Sequence, residues 1–227
     1  DTLVIEKATA TVTLGSLTQI YDGTPKSATA VTEPLGLTVD FTYDGSSIAP
    51  TDVGSYDVVG TINDANYTGS ASDTLVIEKA TATVTLGSLT QTYDGTPKSA
   101  TAVTDPIGLT VDFTYDGSAI APINAGSYAV VGTINDPNYN PASDTNTFII
   151  EKAAATVTLG SLNQVYDGTP KSVTVSTLPD GLTVEVTYEG LSTPPSETGS
   201  YEVIATVVDT NYSGTASGTL VIAQDVS

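Results

Sequence analysis

The stretch Tyr21-Asp-Gly-Thr-Pro-Lys26 decides the architecture, because it occurs three times in the chain. It returns 72 residues later as Tyr93–Lys98, and a further 73 residues on as Tyr166–Lys171. Around it, residues 8–67 match residues 80–139 at 51 of 60 positions. All twelve tyrosines and all six lysines obey the same spacing. The chain is therefore a tandem repeat.

The length of the repeat indicates independent domains. A period of 72 to 73 residues exceeds the roughly 20–45 residues of a solenoid unit and is long enough for a small domain. We predict three domains, at residues 8–79, 80–152 and 153–227. Residues 1–7 return as residues 73–79, so they are predicted to be the tail strand of a preceding repeat.

The hydrophobic pattern predicts an all-β fold. Apolar residues alternate with threonines in Ala8–Leu14, and Leu37–Tyr43 shows the same period of two residues. With similar segments at 27–32, 56–62 and 74–77, each repeat is expected to form five to seven short strands. The four tyrosines of a repeat, together with its Leu, Ile, Val and Phe positions, are the predicted core, and each buried ring contributes on the order of 4 kcal/mol.

The connections between repeats are predicted to be stiff. Thr74–Leu86 spans the first connection and contains no Gly and no Pro, so the last strand of one repeat leads almost directly into the next. Such a segment cannot act as a flexible tether. Domains of this size are roughly 30 Å across, so a linear array of three predicts a rod of roughly 90 Å.

Composition excludes several classes of function. The 26 acidic residues against six lysines give a net charge of −20, which argues against binding to nucleic acid and to anionic membranes. No stretch has the 18 apolar residues of a membrane span, so membrane insertion is not expected. The chain has no His and no Cys, which rules out Ser-His-Asp and Cys-His catalysis. We predict a protein that is not an enzyme and has no catalytic residues.

Three motifs in a fixed order resemble a known family. Tyr21–Lys26 is followed by Gly54-Ser-Tyr56 and then by Asn63-Asp-Ala-Asn-Tyr67. This set resembles the bacterial MBG/YDG-type repeat of large surface or secreted adhesin-like proteins. The resemblance implies an extracellular location, at the bacterial cell surface or secreted, and no catalytic residues. Apart from the calcium candidates considered below, no cofactor is expected. The Gly-x-Tyr strand is similar to the penultimate strand of immunoglobulin-like modules. It favours a small immunoglobulin-like β-sandwich, with a β-grasp-like fold lacking its helix as the alternative.

The Tyr-Asp-Gly turn is interpreted as structural. We predict that its tyrosine packs inward, that its aspartate caps the turn, and that its glycine takes a positive φ.

A second turn carries the only metal candidates. Asp and Asn side chains supply the oxygen ligands that calcium prefers, and the Asn-Asp-x-Asn-Tyr turn holds such a pair in every repeat: Asp64, Asn66, Asp136, Asn138, Asp209 and Asn211. The alternative is that these residues form hydrogen-bonded turns.

These observations predict a structural spacer. The repeats would form the stalk of an extracellular bacterial adhesin and hold a distal binding region away from the cell, with neighbouring repeats as their partners. Two alternatives remain open at this point. The repeats themselves would bind host glycan or protein, or the chain would assemble into an extracellular fibre.

Overall fold

The computed structural model describes residues 4–224. These residues contain strands and turns but no helix, which confirms the predicted all-β class. Of the predicted tail strand at 1–7, the first three residues lie outside the described residues, and residues 4–7 form no strand. Their assignment to a preceding repeat stays a prediction.

None of the described residues belongs to a helix that could cross a membrane.

Short strands recur in the same order along the chain. The first repeat contains β1 (Ala8–Thr9), β2 (Thr11–Gly15), β3 (Thr18–Ile20), β4 (Thr29–Glu33), β5 (Val39–Tyr43), β6 (Gly54–Ile62), β7 (Tyr67–Thr68) and β8 (Ser70–Glu78). The second contains β9 (Thr83–Gly87), β10 (Thr90–Thr92), β11 (Thr101–Asp105), β12 (Val111–Tyr115), β13 (Gly126–Ile134) and β14 (Ala142–Glu151). The third contains β15 (Ala153–Ala154), β16 (Thr156–Gly160), β17 (Asn163–Val165), β18 (Thr174–Leu178), β19 (Val184–Tyr188), β20 (Gly199–Val207), β21 (Tyr212–Ser213) and β22 (Thr215–Ala223).

The described residues fall into two compact units. One contains the residues up to Thr85 with Val103–Asp112 and Gly132–Asp144, and the other contains Leu86–Ala102, Phe113–Val131 and the residues from Thr145 onward. The first repeat lies in one unit and the third in the other, and the second repeat is divided between them. Each junction between consecutive repeats therefore lies inside a single unit.

The first repeat is a small sandwich of two sheets. Strands β3, β8, β6 and β5 form a sheet in that order, in which β3 runs parallel to β8 and the other pairs are antiparallel. Strands β2 and β4 form a separate antiparallel pair. The third repeat has the same arrangement, with the order β17, β22, β20, β19 and the pair β16 and β18.

This topology is immunoglobulin-like. The last, the penultimate and a middle strand lie side by side as strands G, F and C do in immunoglobulin domains, and the first two long strands pair as A and B do. Tyr56 near the start of β6 donates its hydroxyl to the carbonyl oxygen of Asp52 at 2.9 Å. A tyrosine in this place with this bond is a hallmark of strand F in immunoglobulin folds. The sandwich prediction is confirmed, and the β-grasp alternative is set aside.

The predicted strand Ala8–Leu14 is interrupted in the middle. Residues 8 and 9 pair with β7, and the chain then changes partner at Ala10 and pairs with β4. Gly69 permits the change, since a Cβ there would lie 2.1 Å from the carbonyl oxygen of Ala10. The break raises the strand count of the first repeat to eight, one above the predicted range.

The core of each repeat lies between its two sheets. In the first repeat Tyr43, Val58 and Leu75 are buried, and Leu14 of the two-stranded sheet packs against them. Buried Tyr115 and Phe148 form an edge-to-face ring pair in the second repeat, with ring centroids 5.4 Å apart. Burial of these side chains drives the folding of a domain this small.

Only one of the four tyrosines in each repeat is buried, which corrects the expectation of a four-ring core. The buried residues are Tyr43, Tyr115 and Tyr188. Their hydroxyls accept hydrogen bonds from the main-chain N–H groups of Ala28, Ala100 and Val173, at 2.9, 2.8 and 3.0 Å. The other tyrosines are half-buried or exposed, and of these Tyr93, Tyr128 and Tyr201 pack against the core clusters of their repeats.

Candidate functional site at the repeat junctions

The connection between repeats is as short as the sequence predicts. In the second junction β14 ends at Glu151 and β15 begins at Ala153, so Lys152 alone lies between them. In the first, β8 ends at Glu78 and the next paired residue is Ala80, which forms a parallel bridge with Tyr139. Connections of this length leave the side chains on either side in contact range.

The Tyr-Asp-Gly turn brings its tyrosine to the junction. Strand β3 runs parallel to the end of β8, and the N–H of Tyr21 donates to the carbonyl oxygen of Glu78 at 2.9 Å. The tyrosine therefore leaves the sheet beside the point at which the next repeat begins. Tyr93 occupies the same place in the second repeat, where its N–H donates to Glu151.

The prediction that this tyrosine packs inward holds only in part: Tyr93 is half-buried and packs against the core of its own repeat, but the rings of Tyr21 and Tyr93 also contact the following repeat. The ring of Tyr21 meets the ring of Tyr139 in the following repeat, with centroids 5.4 Å apart and planes at 82°. Tyr93 and Tyr212 repeat the arrangement at 5.4 Å and 81°. Burial, and then the nearby phenol of Tyr21, raise the pKa of Tyr139. An edge-to-face pair of this kind contributes about 0.5–1.5 kcal/mol beyond the area that it buries.

The rest of the turn behaves as predicted. Asp22 caps it by accepting the N–H of Thr24 at 2.9 Å, and Gly23 has a φ of +79°. Lys26, whose side chain is 11% exposed, forms an ion pair with Asp22 at 2.5 Å. The hydrogen bonds from Lys26 and then Thr24 lower the pKa of Asp22 to about 2. The equivalent contacts of Lys98 and Lys171 lower the pKa of their aspartates in the other two repeats.

A second loop of the same repeat completes this surface. The N–H of Lys26 donates to the carbonyl oxygen of Pro50 at 2.8 Å, which fixes the loop before β6 beside the tyrosine turn. Asp52 and Val53 follow in that loop. We call the group of Tyr21, Asp52 and Val53, and its equivalents in the other repeats, the acceptor surface.

The Asn-Asp-x-Asn-Tyr turn of the following repeat contacts the acceptor surface. In the first junction, Oδ1 of Asn138 accepts the N–H of Val53 at 2.9 Å, and its Nδ2 donates to Oδ1 of Asp52 at 3.1 Å. We call the segment from Asp136 to Tyr139, and its equivalents, the docking turn. With the ring pair, these two hydrogen bonds contribute roughly 1.5–4.5 kcal/mol to holding the junction closed.

The second junction repeats these contacts with different residues. Oδ1 of Asn211 accepts the N–H of Ala125 at 2.8 Å, and its Nδ2 donates to Oδ1 of Asn124 at 3.2 Å. Lys152 secures the docking turn by donating to the carbonyl oxygen of Asp209 at 2.6 Å. Asp52 and Asn124 differ in charge, but both present a side-chain oxygen to the asparagine amide.

The calcium candidates lie in the docking turns. Oδ1 of Asp64, Asp136 and Asp209 accepts the N–H of the residue two positions later, at 2.7, 2.8 and 2.7 Å, which forms an Asx turn. Asn138 and Asn211 use their side chains in the junctions, whereas Asn66 is exposed. Residues 4–224 contain no group of three or more His, Cys, Asp or Glu side chains placed to hold a metal ion. Calcium binding stays a prediction.

Sequence reasoning missed the junction residues Asp52 and Asn124, and it singled out Asn138 and Asn211 as calcium candidates or turn residues but not as contacts between repeats. An asparagine in a turn is expected to make hydrogen bonds only within that turn. A single sequence gives no sign of a partner that lies far away in the chain. The one available signal is that positions 52 and 124 change from Asp to Asn while keeping a side-chain oxygen.

The repeats define an array of immunoglobulin-like domains joined by docked turns. The MBG domain matches residues 10–81, 82–154 and 155–226, so the chain belongs to the MBG domain family. Among curated proteins, no sequence matches the chain.

Solved structures with related folds are distant. A Bacteroides ovatus mixed-linkage glucan utilization locus protein, SGBP-B, in complex with a mixed-linkage heptasaccharide is 13% identical, with a TM-score of 0.24 over 93% of this chain and 67% of that chain. Sidekick-1 immunoglobulin domains 1–4 are 12% identical, with a TM-score of 0.30 over 96% and 74%. Drosophila N-cadherin EC1-4 is 12% identical, with a TM-score of 0.27 over 98% and 76%. Likeness at this level carries no functional inference.

Proposed function

We propose that this chain is a non-catalytic spacer segment of an extracellular bacterial adhesin-like protein, and that it holds a distal binding region away from the cell. The observation that carries the proposal is the docked junction. Its ring pair and its two asparagine hydrogen bonds occur at both junctions, between residues that are otherwise far apart in the chain.

The junction contacts suit a mechanical role. A single residue connects β14 to β15, and a connection that short restricts the orientation of the domains that it joins. The docked asparagine and tyrosine restrict it further, because bending the junction would break two hydrogen bonds and a ring contact. Stiff junctions keep a series of small domains extended, so that each domain adds to the distance that the chain spans.

The composition is consistent with an exposed, non-catalytic segment. A net charge of −20 keeps the chain soluble and discourages collapse of one repeat on another. The chain lacks the His and Cys residues on which most acid–base and nucleophilic catalysis depends. Membership of the MBG family supports the surface-protein assignment.

Small-angle X-ray scattering on the chain tests the spacer proposal. We expect an elongated profile with a largest dimension of roughly 90 Å or more, since three domains of this size in series reach that length. The double variant Asn138→Ala/Asn211→Ala should give a broader distribution of distances, because both junctions lose their side-chain bridge. A globular profile for the unaltered chain would overturn the proposal.

A further inference from the structure

Two tyrosine rings from different repeats meet at each junction. Tyr21 and Tyr139 lie with their ring centroids 5.4 Å apart in the first junction. Tyr93 and Tyr212 repeat that separation in the second. The other ring pairs found in residues 4–224 each contain a phenylalanine. Within the described part of the chain, contact between two phenols is therefore confined to the junctions.

Tyrosine occupies all four of these junction positions, although an edge-to-face contact needs only an aromatic ring. At the other two tyrosine positions of a repeat, the hydroxyl serves the fold. The hydroxyl of Tyr43 accepts the N–H of Ala28, and that of Tyr56 donates to a main-chain carbonyl oxygen. The junction contact is made by the rings themselves, so its phenol groups add a chemistry that the packing does not need.

The composition of the chain directs oxidation to tyrosine. The chain contains no Cys, Met, Trp or His, and the sulfur atoms of cysteine and methionine are common targets of oxidants in proteins. In their absence, the twelve tyrosines are the most readily oxidised side chains. A phenol that loses one electron and one proton becomes a phenoxyl radical, and two such radicals combine through the carbons beside their oxygens.

The geometry of the junction pairs suits that combination. The four rings are half-buried, so they are partly open to solvent. Burial, and then the phenol of Tyr21, raise the pKa of Tyr139, which places the two phenols within electrostatic range of each other. The Cε carbons flank the hydroxyl on each ring. Rotation about χ2 of tyrosine meets a broad energy well, so a small rotation of the rings can bring two Cε carbons together.

We propose that the pairs Tyr21–Tyr139 and Tyr93–Tyr212 are sites of oxidative cross-linking, at which a peroxidase-class one-electron oxidant acting with hydrogen peroxide joins the two rings. Each tyrosine loses one electron and its phenolic proton, and a bond forms between one Cε carbon of each ring. The hydrogens on those carbons then move to the oxygens, which restores both phenols. The two electrons and two protons that leave a pair reduce one hydrogen peroxide to two molecules of water.

The product is a junction that stays closed under load, because a covalent bond joins the two repeats in addition to the peptide connection. The inference goes beyond the spacer function and does not depend on it, since it needs only that the two rings meet.

Coupling within a junction should outcompete coupling between chains. The fold holds the two rings of a pair in contact, whereas rings of separate chains must meet by diffusion. An effective concentration in the millimolar range within the chain exceeds a protein concentration of about 1 μM by roughly a thousandfold. Cross-linked chains should therefore remain single chains.

Treatment of the whole chain at about 1 μM with a peroxidase and hydrogen peroxide tests the proposal. We expect dityrosine fluorescence, a single-chain band on a denaturing gel, and an intact mass lower by two hydrogen atoms for each pair that has reacted. Peptide mapping by mass spectrometry should identify one peptide that joins Tyr21 to Tyr139 and another that joins Tyr93 to Tyr212.

Phenylalanine variants separate the two sites. Tyr139→Phe keeps the ring but cannot form a phenoxyl radical, so it should abolish the first cross-link and leave the second. Tyr21→Phe should give the same result from the other side of the junction. Tyr201→Phe is the matched control, because it removes the hydroxyl of a half-buried ring that lies outside both pairs. It should leave both cross-links in place.

Three results would overturn the proposal. The first is cross-linking of other tyrosines as often as of the junction pairs, and the second is cross-linking mainly between chains. The third is a chain that forms no dityrosine under conditions in which N-acetyltyrosine, treated in parallel, couples. The scattering test of the spacer uses the untreated chain, so each of these results leaves it unaffected.

Discussion

Asn138 and Asp52 are joined across the first junction by a hydrogen bond of 3.1 Å, although they lie in different repeats and 86 residues apart. The same asparagine amide accepts the N–H of the residue that follows Asp52. One side chain thus serves as both donor and acceptor to a single loop of the neighbouring repeat. This bidentate contact makes the relative orientation of the two repeats sensitive to one residue.

Asn138→Ala should destabilise the first junction. The substitution removes both hydrogen bonds across it, and we expect the free energy of unfolding of the first repeat to fall by about 1–2 kcal/mol. Urea unfolding followed through the amide NMR signals of that repeat measures the change. Asn66→Ala is the matched control, because Asn66 sits in the same turn sequence but is exposed. Equal losses of stability in both variants would contradict a stabilising role of Asn138 in the junction.

Tyr21→Ala should lower the free energy of unfolding more than Tyr166→Ala does. The two residues occupy equivalent turns, but only Tyr21 has a ring partner among the described residues. We expect the difference in free energy of unfolding to be about 1 kcal/mol, the value of an edge-to-face pair. The same urea titration measures it, at a protein concentration low enough to keep the chains separate. No difference between the two variants would contradict a stabilising ring contact.

Tyr43→Phe should be more damaging than Tyr56→Phe, although both remove a single hydroxyl. The hydroxyl of Tyr43 is the buried acceptor for the N–H of Ala28. Its loss leaves this N–H buried without an acceptor, which lowers the stability of the fold by about 1–3 kcal/mol. Tyr56 bonds the carbonyl oxygen of Asp52 near solvent, and water can replace its hydroxyl. Calorimetric melting of the two variants compares them, and a larger loss for Tyr56→Phe would count against the buried role of Tyr43.

Acid should remove the contribution of the Asp22–Lys26 ion pair. The pKa of Asp22 is lowered in the folded chain from 3.8 to about 2. A lowered carboxyl pKa stabilises the fold above the unfolded value, and that stabilisation disappears as the pH falls through the folded value. Asp22→Asn should therefore be less stable than the unaltered chain at pH 5, with the difference shrinking below 3.8 and vanishing near 2.

Urea midpoints measured at a series of pH values give that difference, and Lys26→Met should reproduce its pH dependence because it removes the other half of the pair. A difference that persists unchanged into strong acid would mean that Asp22 acts as a turn cap alone.

Part of the fold followed from the sequence because its signals are local. Alternation in Leu37–Tyr43 correctly predicted a strand with Tyr43 inside, and the Asp22 and Gly23 pair behaved as turn chemistry requires. The stiffness argument rested on a segment without Gly or Pro, and the strands indeed follow one another almost directly. The local sequence pattern was sufficient to predict those structural features that depend only on residues adjacent in the chain.

The long-range features could not be predicted in this way. Strand β3 has three residues, too few for a period to show, so its parallel pairing with β8 was missed. The Tyr21 ring has an apolar body and a polar tip, and the sequence does not distinguish a place in the core from a place between repeats. Asn138 is equally ambiguous, because its turn chemistry and its junction contact need the same residue type.

The stiffness of a junction can be measured directly by pulsed electron paramagnetic resonance. Thr13 of β2 and Thr85 of β9 are exposed on equivalent strands of the first two repeats. The chain contains no cysteine, so Thr13→Cys and Thr85→Cys allow two spin labels at defined sites. A docked junction predicts a single narrow distance distribution that broadens when Asn138→Ala is added. A broad distribution in the chain with Asn138 intact would contradict the stiff junction and, with it, the spacer function.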